Sequence, residues 1–182
     1  DVPSHFSYQV QFNYNKNKED GTPDTNWNTA IANEAFRLSW HYGIDFTNYW
    51  KRVNAINPMS CENNFYTMKG LVYTSDGTDY TDLVRKEMGM TDENGTTPIR
   101  LDAEKAEQYK QQAIEELTAQ GVTFPVEADF YISASSQTAL DSANVLAQVF
   151  SDCLGDDYVK LNIKTYIQSS RNEVPYHTCI PS

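Results

Sequence analysis

The 182-residue chain contains no apolar run approaching the roughly 20 residues a helix needs to cross a bilayer, so no spanning helix is expected. Basic residues are scarce: 14 Lys plus Arg stand against 25 Asp plus Glu, a formal charge of −11. Nucleic acid and anionic lipid both need a basic face on the protein, so the charge argues against both partner classes and no nucleic acid is expected. Histidine is rare, and His5, His41 and His177 lie far apart. No Cys or Glu spacing completes a metal set around them, so no metal and no cofactor is expected. The chain has no Gly-x-Ser-x-Gly elbow, no Walker motif and no dinucleotide-binding glycine pattern. Three cysteines allow at most one disulfide. Cys61 and Cys179 are left open as a pair, while Cys153 falls on an apolar helix face and reads as a buried thiol. Asp1 opens the chain and no signal peptide follows, so a mature or excised piece is expected.

What the chain does have is a run over residues 101–166 that reads helix, strand, helix, strand. Asp102 stands at an N-cap, followed by Ala106, Tyr109, Ala113, Ile114 and Leu117 at helical spacing, with Gly121 as a left-handed cap. Val126, Ala128, Phe130 and Ile132 alternate with Glu127, Asp129 and Tyr131, which is a strand pattern. Ser135 or Ser136 caps a second helix carrying Ala139, Leu140, Ala143, Leu146, Phe150 and Cys153, closed by Gly155. Val159, Leu161 and Ile163 then alternate with Lys160, Asn162 and Lys164. Two strands joined by a long helix pair in parallel with a right-handed crossover. The fold class is therefore α/β, a mixed β-sheet with packed helices including a right-handed βαβ unit.

Before this run, Phe6, Tyr8, Val10, Phe12 and Tyr14 alternate with polar residues and predict a strand with an aromatic face. A fully buried Phe contributes about 1.5–3 kcal/mol of transfer free energy, which would place that strand inside the sheet. Residues 16–24 read as a loop. One helix is predicted from about Thr25, with Trp27, Ile31, Ala35, Leu38 and Tyr42 on one face and Gly43 at its end. Asp45 caps a short helix holding Phe46, Tyr49, Trp50 and Val53, and Asp79 caps another through Leu83 and Met88. Residues 54–77 show no sustained period. Asn94-Gly95 marks a strong turn between the two halves. Ser169 or Ser170 is placed to cap a further short helix, and residues 175–182 are expected outside the packed core. One domain is expected.

Paired carboxylates at Glu115-Glu116, at Asp156-Asp157 and at Asp76 with Asp79 are the candidates for acid/base chemistry. Each also has a structural reading, as a solvated helix face, a turn or a cap, and no catalytic residue is assigned. The loop Asp92-Glu93-Asn94-Gly95 lacks the twelve-residue calcium-loop spacing, and Asn94-Gly95-Thr96 is a formal glycosylation sequon. Aromatics are the surplus. Trp40-His41-Tyr42 at a helix end could line a ligand cleft, or Trp40 could pack on the sheet. The ligand-binding residues stay unassigned.

Ordered motifs carry a resemblance. Asp102-Ala103-Glu104-Lys105-Ala106, then Phe130-Tyr131-Ile132, then Ser136-Gln137-Thr138-Ala139, then Val159-Lys160-Leu161 follow one another as in family 5 extracellular solute-binding proteins, the peptide- and nickel-type receptors of ABC importers. The run from Asn33-Glu34-Ala35-Phe36 to Gly43-Ile44-Asp45 is similar to that family's R-Q-A-L-x-x-A-I-D helix end, with Asn33 in place of Arg. The oligopeptide-binding branch resembles it most. The resemblance implies a periplasmic-binding-protein-like lobe, residues 1–182 being a fragment of the C-terminal lobe of a two-lobe receptor. It implies oligopeptides as ligand, held with the missing lobe, and the membrane permease of an ABC importer as partner, with no chemistry done on the ligand. It implies an extracytoplasmic place, as a bacterial cell-surface lipoprotein or in a periplasm. The branch's Gly-Trp-x-x-Asp segment, whose carboxylate holds the peptide amino group, has no counterpart; the chain reads Arg171-Asn172-Glu173-Val174-Pro175 there. A small secreted hydrolase and an interaction domain without small-molecule function are the alternatives.

Overall fold

The computed structural model describes residues 10–62, 67–91 and 100–180. Helix α1 (Thr25–Ala32) and helix α2 (Glu34–Gly43) stand where one helix was predicted. Asn33 breaks the run. Its backbone is extended (φ −73°, ψ 127°) and its side chain accepts the Phe36 amide, so it serves as the N-cap of α2. Helix α3 (Thr47–Trp50) is one turn, started by Asp45 accepting the Thr47 amide. A 3-10 turn at Pro58–Cys61 leads to helix α4 (Tyr80–Glu87), which Asp79 caps as predicted. Helix α5 (Ala103–Ala119) begins at the Asp102 cap. It ends in a Schellman motif: the Val122 amide reaches the Leu117 carbonyl and the Gly121 amide reaches Thr118, both at 3.0 Å, with Gly121 at φ +83°.

Strand β1 (Val126–Ser133), helix α6 (Gln137–Leu154) and strand β2 (Val159–Tyr166) follow. Ser136 is the cap of α6, and the strands pair in parallel from Val126 opposite Val159 to Ser133 opposite Tyr166. The predicted βαβ layer is present. Among the described residues the sheet has these two strands, and antiparallel pairing enters only as isolated bridges at Asn17–Pro23 and Tyr73–Asp79. A 3-10 turn at Gln168–Ser170 and helix α7 (Val174–His177) close the chain. Neither Ser169 nor Ser170 caps α7; Glu173 occupies that position without a side-chain bond.

The core forms where α6 packs on both strands, α1 on β1, and α2 on α5. Trp27, Ile31, Phe36, Leu117, Phe150 and Tyr158 lie fully inside it. Two basic side chains secure the ends of its helices. The Arg100 guanidinium donates to the carbonyls of His41 and, at 2.6 Å, of Ile44, and pairs with buried Glu62 at 3.1 Å. The Lys110 ammonium donates to the Leu154 carbonyl at 2.8 Å. Both place positive charge where a helix dipole is negative.

Three expectations are corrected. The described part of the aromatic run, residues 10–14, is not a strand, and Phe6 and Tyr8 lie outside the described residues. Phe12 alone of its three described apolar members packs on the core, edge-on to Trp40, while Val10 and Tyr14 are exposed. The C-terminal tail is not outside the core: Thr178, Cys179 and Ile180 are buried, and the Cys179 amide bonds to the Asp129 carbonyl at 2.7 Å. Asp129 and Tyr131 are buried as well, Asp129 bonded to the tail and Tyr131 donating its hydroxyl to Glu19, where alternation put them in solvent. All three cysteines are free, and Cys179 rather than half-buried Cys153 is the fully buried thiol.

Candidate functional site

The predicted acid pairs do not converge. The Glu116 carboxylate accepts from Asn33 at 2.6 Å and from Gln112 at 2.7 Å, tying α5 to the start of α2. Asp156 and Asp157 form the turn between α6 and β2. Asp76 accepts the Thr74 hydroxyl and the Thr78 amide, and these bonds hold its carboxyl down at about 2. Asp79 accepts from the Gly70 and Thr81 amides at 2.6 and 2.8 Å. Burial pushes its pKa up, but these bonds and the Thr81 hydroxyl outweigh burial and leave it lowered. A general acid at neutral pH needs the opposite shift. The loop 92–95 and the sequon at Asn94 lie outside the described residues, as does His5.

The aromatic triplet splits. Trp40 is core, 4 % exposed, against Phe36 and Phe150, and its indole N–H has no hydrogen-bond partner among the described residues. His41 is on the surface; partial desolvation and then the Arg100 charge lower its imidazole pKa. Tyr42 alone lines a cavity of about 380 Å³, with Gly43, Leu101, Ala106, Cys153 and Leu154. The polar groups there are spoken for: Lys110 holds Leu154, and Asp45 holds Thr47.

A different surface presents large apolar side chains among the described residues. In the stretch 70–80, Leu71, Val72, Tyr73 and Tyr80 are 60, 52, 59 and 45 % exposed, and Leu83 of α4 and its C-cap Met88 are exposed beside them in sequence. These residues do not sit on a loose loop. The Tyr80 amide bonds to Val72 at 2.9 Å, Tyr73 pairs with Asp79, and Asp76 and Asp79 stake the turn between them. A turn held by these bonds that exposes large apolar side chains is a candidate contact surface. Sequence periodicity missed it, because a three-residue apolar run between the turns at Gly70 and Asp76-Gly77 is too short to show a period.

The outer face of the sheet is polar and closed. Buried Lys16 pairs with Asp24 at 2.6 Å and Asp129 at 2.9 Å. Desolvation pulls its pKa down, and these carboxylates overcome it to give a net rise. Lys164 links Asp129 at 3.4 Å to Glu19 at 3.1 Å, and the Tyr131 hydroxyl donates to Glu19 at 3.0 Å.

No family model and no curated protein matches the sequence. Among solved structures, the chain is similar to the substrate-binding domain of an oligopeptide ABC transporter from Bacillus anthracis strain Ames, with a TM-score of 0.59 at 17 % sequence identity. The match covers 94 % of this chain and 28 % of that one, so this chain spans under a third of the structure it resembles. The shared property is the fold: parallel strands with packed helices, arranged as in a periplasmic-binding-protein-like domain.

Proposed function

We propose that this chain is a lobe of the extracytoplasmic solute-binding receptor of an ABC importer, with oligopeptides as its ligands and the membrane permease as its docking partner. The observation that carries the reading is the fold likeness to a substrate-binding domain over 94 % of the chain. One feature of the geometry supports it. The exposed hairpin around Leu71, Tyr73 and Tyr80 offers one wall of a cleft, and a peptide enclosed against a second wall would be held by backbone bonds and roomy side-chain pockets.

The test is calorimetric titration of the full-length receptor with short peptides, for the native sequence and for Leu71→Ala and Tyr73→Ala. We expect binding that weakens about tenfold or more in the Tyr73 variant, the cost of losing a buried aromatic contact. Unchanged affinity in both variants removes the hairpin from the site. No binding of any peptide by the full-length protein removes the receptor reading. The exposed apolar hairpin also favours an interaction domain, and in that case the full-length protein would bind a protein partner through Tyr73 and no free peptide.

A further inference from the structure

We propose that residues 12–24 and 176–180 form one latch on the open edge of β1, locked by the buried ammonium of Lys16. The two segments run side by side. The Asn13 amide bonds to the Cys179 carbonyl at 2.9 Å and the Asn17 amide to Tyr176 at 2.7 Å. The Asn13 side chain adds bonds to the carbonyls of Pro175 and Thr178, and His177 Nδ1 lies 3.0 Å from the Asn17 carbonyl.

Little apolar weight holds the first segment down, since Phe12 is its one member packed on the core. The ion cluster supplies the rest, and Asp129 is its junction. Its carboxylate pairs with Lys16 and Lys164. Its carbonyl accepts the Cys179 amide at 2.7 Å and the Thr178 hydroxyl at 3.3 Å, and its amide lies 3.2 Å from the Cys179 sulfur. Lifting either segment therefore uncovers the same residue. A buried charge stripped of its partner is strongly unfavourable, so opening of one segment drives release of the other. The latch stands on this geometry alone, independent of the receptor reading.

Amide hydrogen exchange on the 182-residue chain tests the latch without reference to any ligand. In Lys16→Met, the amides of Asn13, Asn17 and Cys179 are expected to exchange together, on the order of a hundredfold faster, with the β1–β2 ladder and α6 unchanged. Lys164→Gln, at the half-exposed end of the cluster, keeps the test when Lys16→Met does not fold. It is expected to accelerate the same three amides together by a smaller factor. The proposal is overturned by unequal acceleration of the three, by equal acceleration along the whole chain, or by no change.

Discussion

Asp76 and Asp79 act on the fold through accepted hydrogen bonds that are stronger to their ionised forms, and the same holds for Asp24, Asp45, Asp102, Glu19 and Glu116. Each has a carboxyl pKa below its ordinary value. The unfolded chain thus binds protons first as pH falls. Stability contributed by these groups is fully present above the unfolded values near 4 and is lost as pH drops through the folded ones. For Asp76 that window runs from 3.8 down to about 2. The carboxylates' contribution to the thermal midpoint is expected to hold from neutral pH to about 5 and to fall between 4 and 2, while His41, with its lowered pKa, adds a smaller decline below about 6.5. Asp76→Asn should flatten part of that slope; a slope unchanged in the variant would sink the assignment. At the same scale Trp40→Ala should cost about 3–5 kcal/mol in denaturant unfolding, since the ring is enclosed by Phe12, Trp27, Phe36 and Phe150. Sequence left Trp40 undecided between core and cleft, because a large amphipathic side chain suits both and only its neighbours choose.

Among the elements, those with long periods were legible and those set by a single polar residue were not. The helix–strand–helix–strand run over 103–166 follows from caps and spacing, and its parallel pairing follows from the length of α6. The break between α1 and α2 was hidden because Ile31, Ala35 and Phe36 face one core on both sides of it. Asn33 is the whole signal, an N-cap whose amide also reaches Glu116. Asn33→Ala should therefore lower stability by about 1 kcal/mol, within the 0.5–2 kcal/mol typical of lost caps. The measurement is a shift of the urea midpoint with the slope unchanged. A neutral result would mean that packing alone bends the chain at that position. The tail at 178–180 was misread for a related reason: three residues carry no period, and their burial comes from backbone bonds to Asp129 and Asn13.

For the whole molecule, the fold was legible and the exposed apolar hairpin was not, since exposure depends on what the rest of the fold covers. A site that holds a small ligand tightly buries some 70–90 % of it, and under the proposed receptor reading the hairpin around Tyr73 is one wall of that site. Affinity follows the enclosed contact: a micromolar ligand is held by about 8 kcal/mol and a millimolar one by about 4. Removing roughly half of the contacts from a micromolar complex thus leaves millimolar binding or weaker. The 182-residue chain alone is expected to give no heat with short peptides at micromolar concentrations in isothermal titration. Under the proposed receptor reading, a second lobe should restore it. Micromolar binding by this chain alone would mean that it encloses a peptide unaided, and the one-lobe reading would fall with that result.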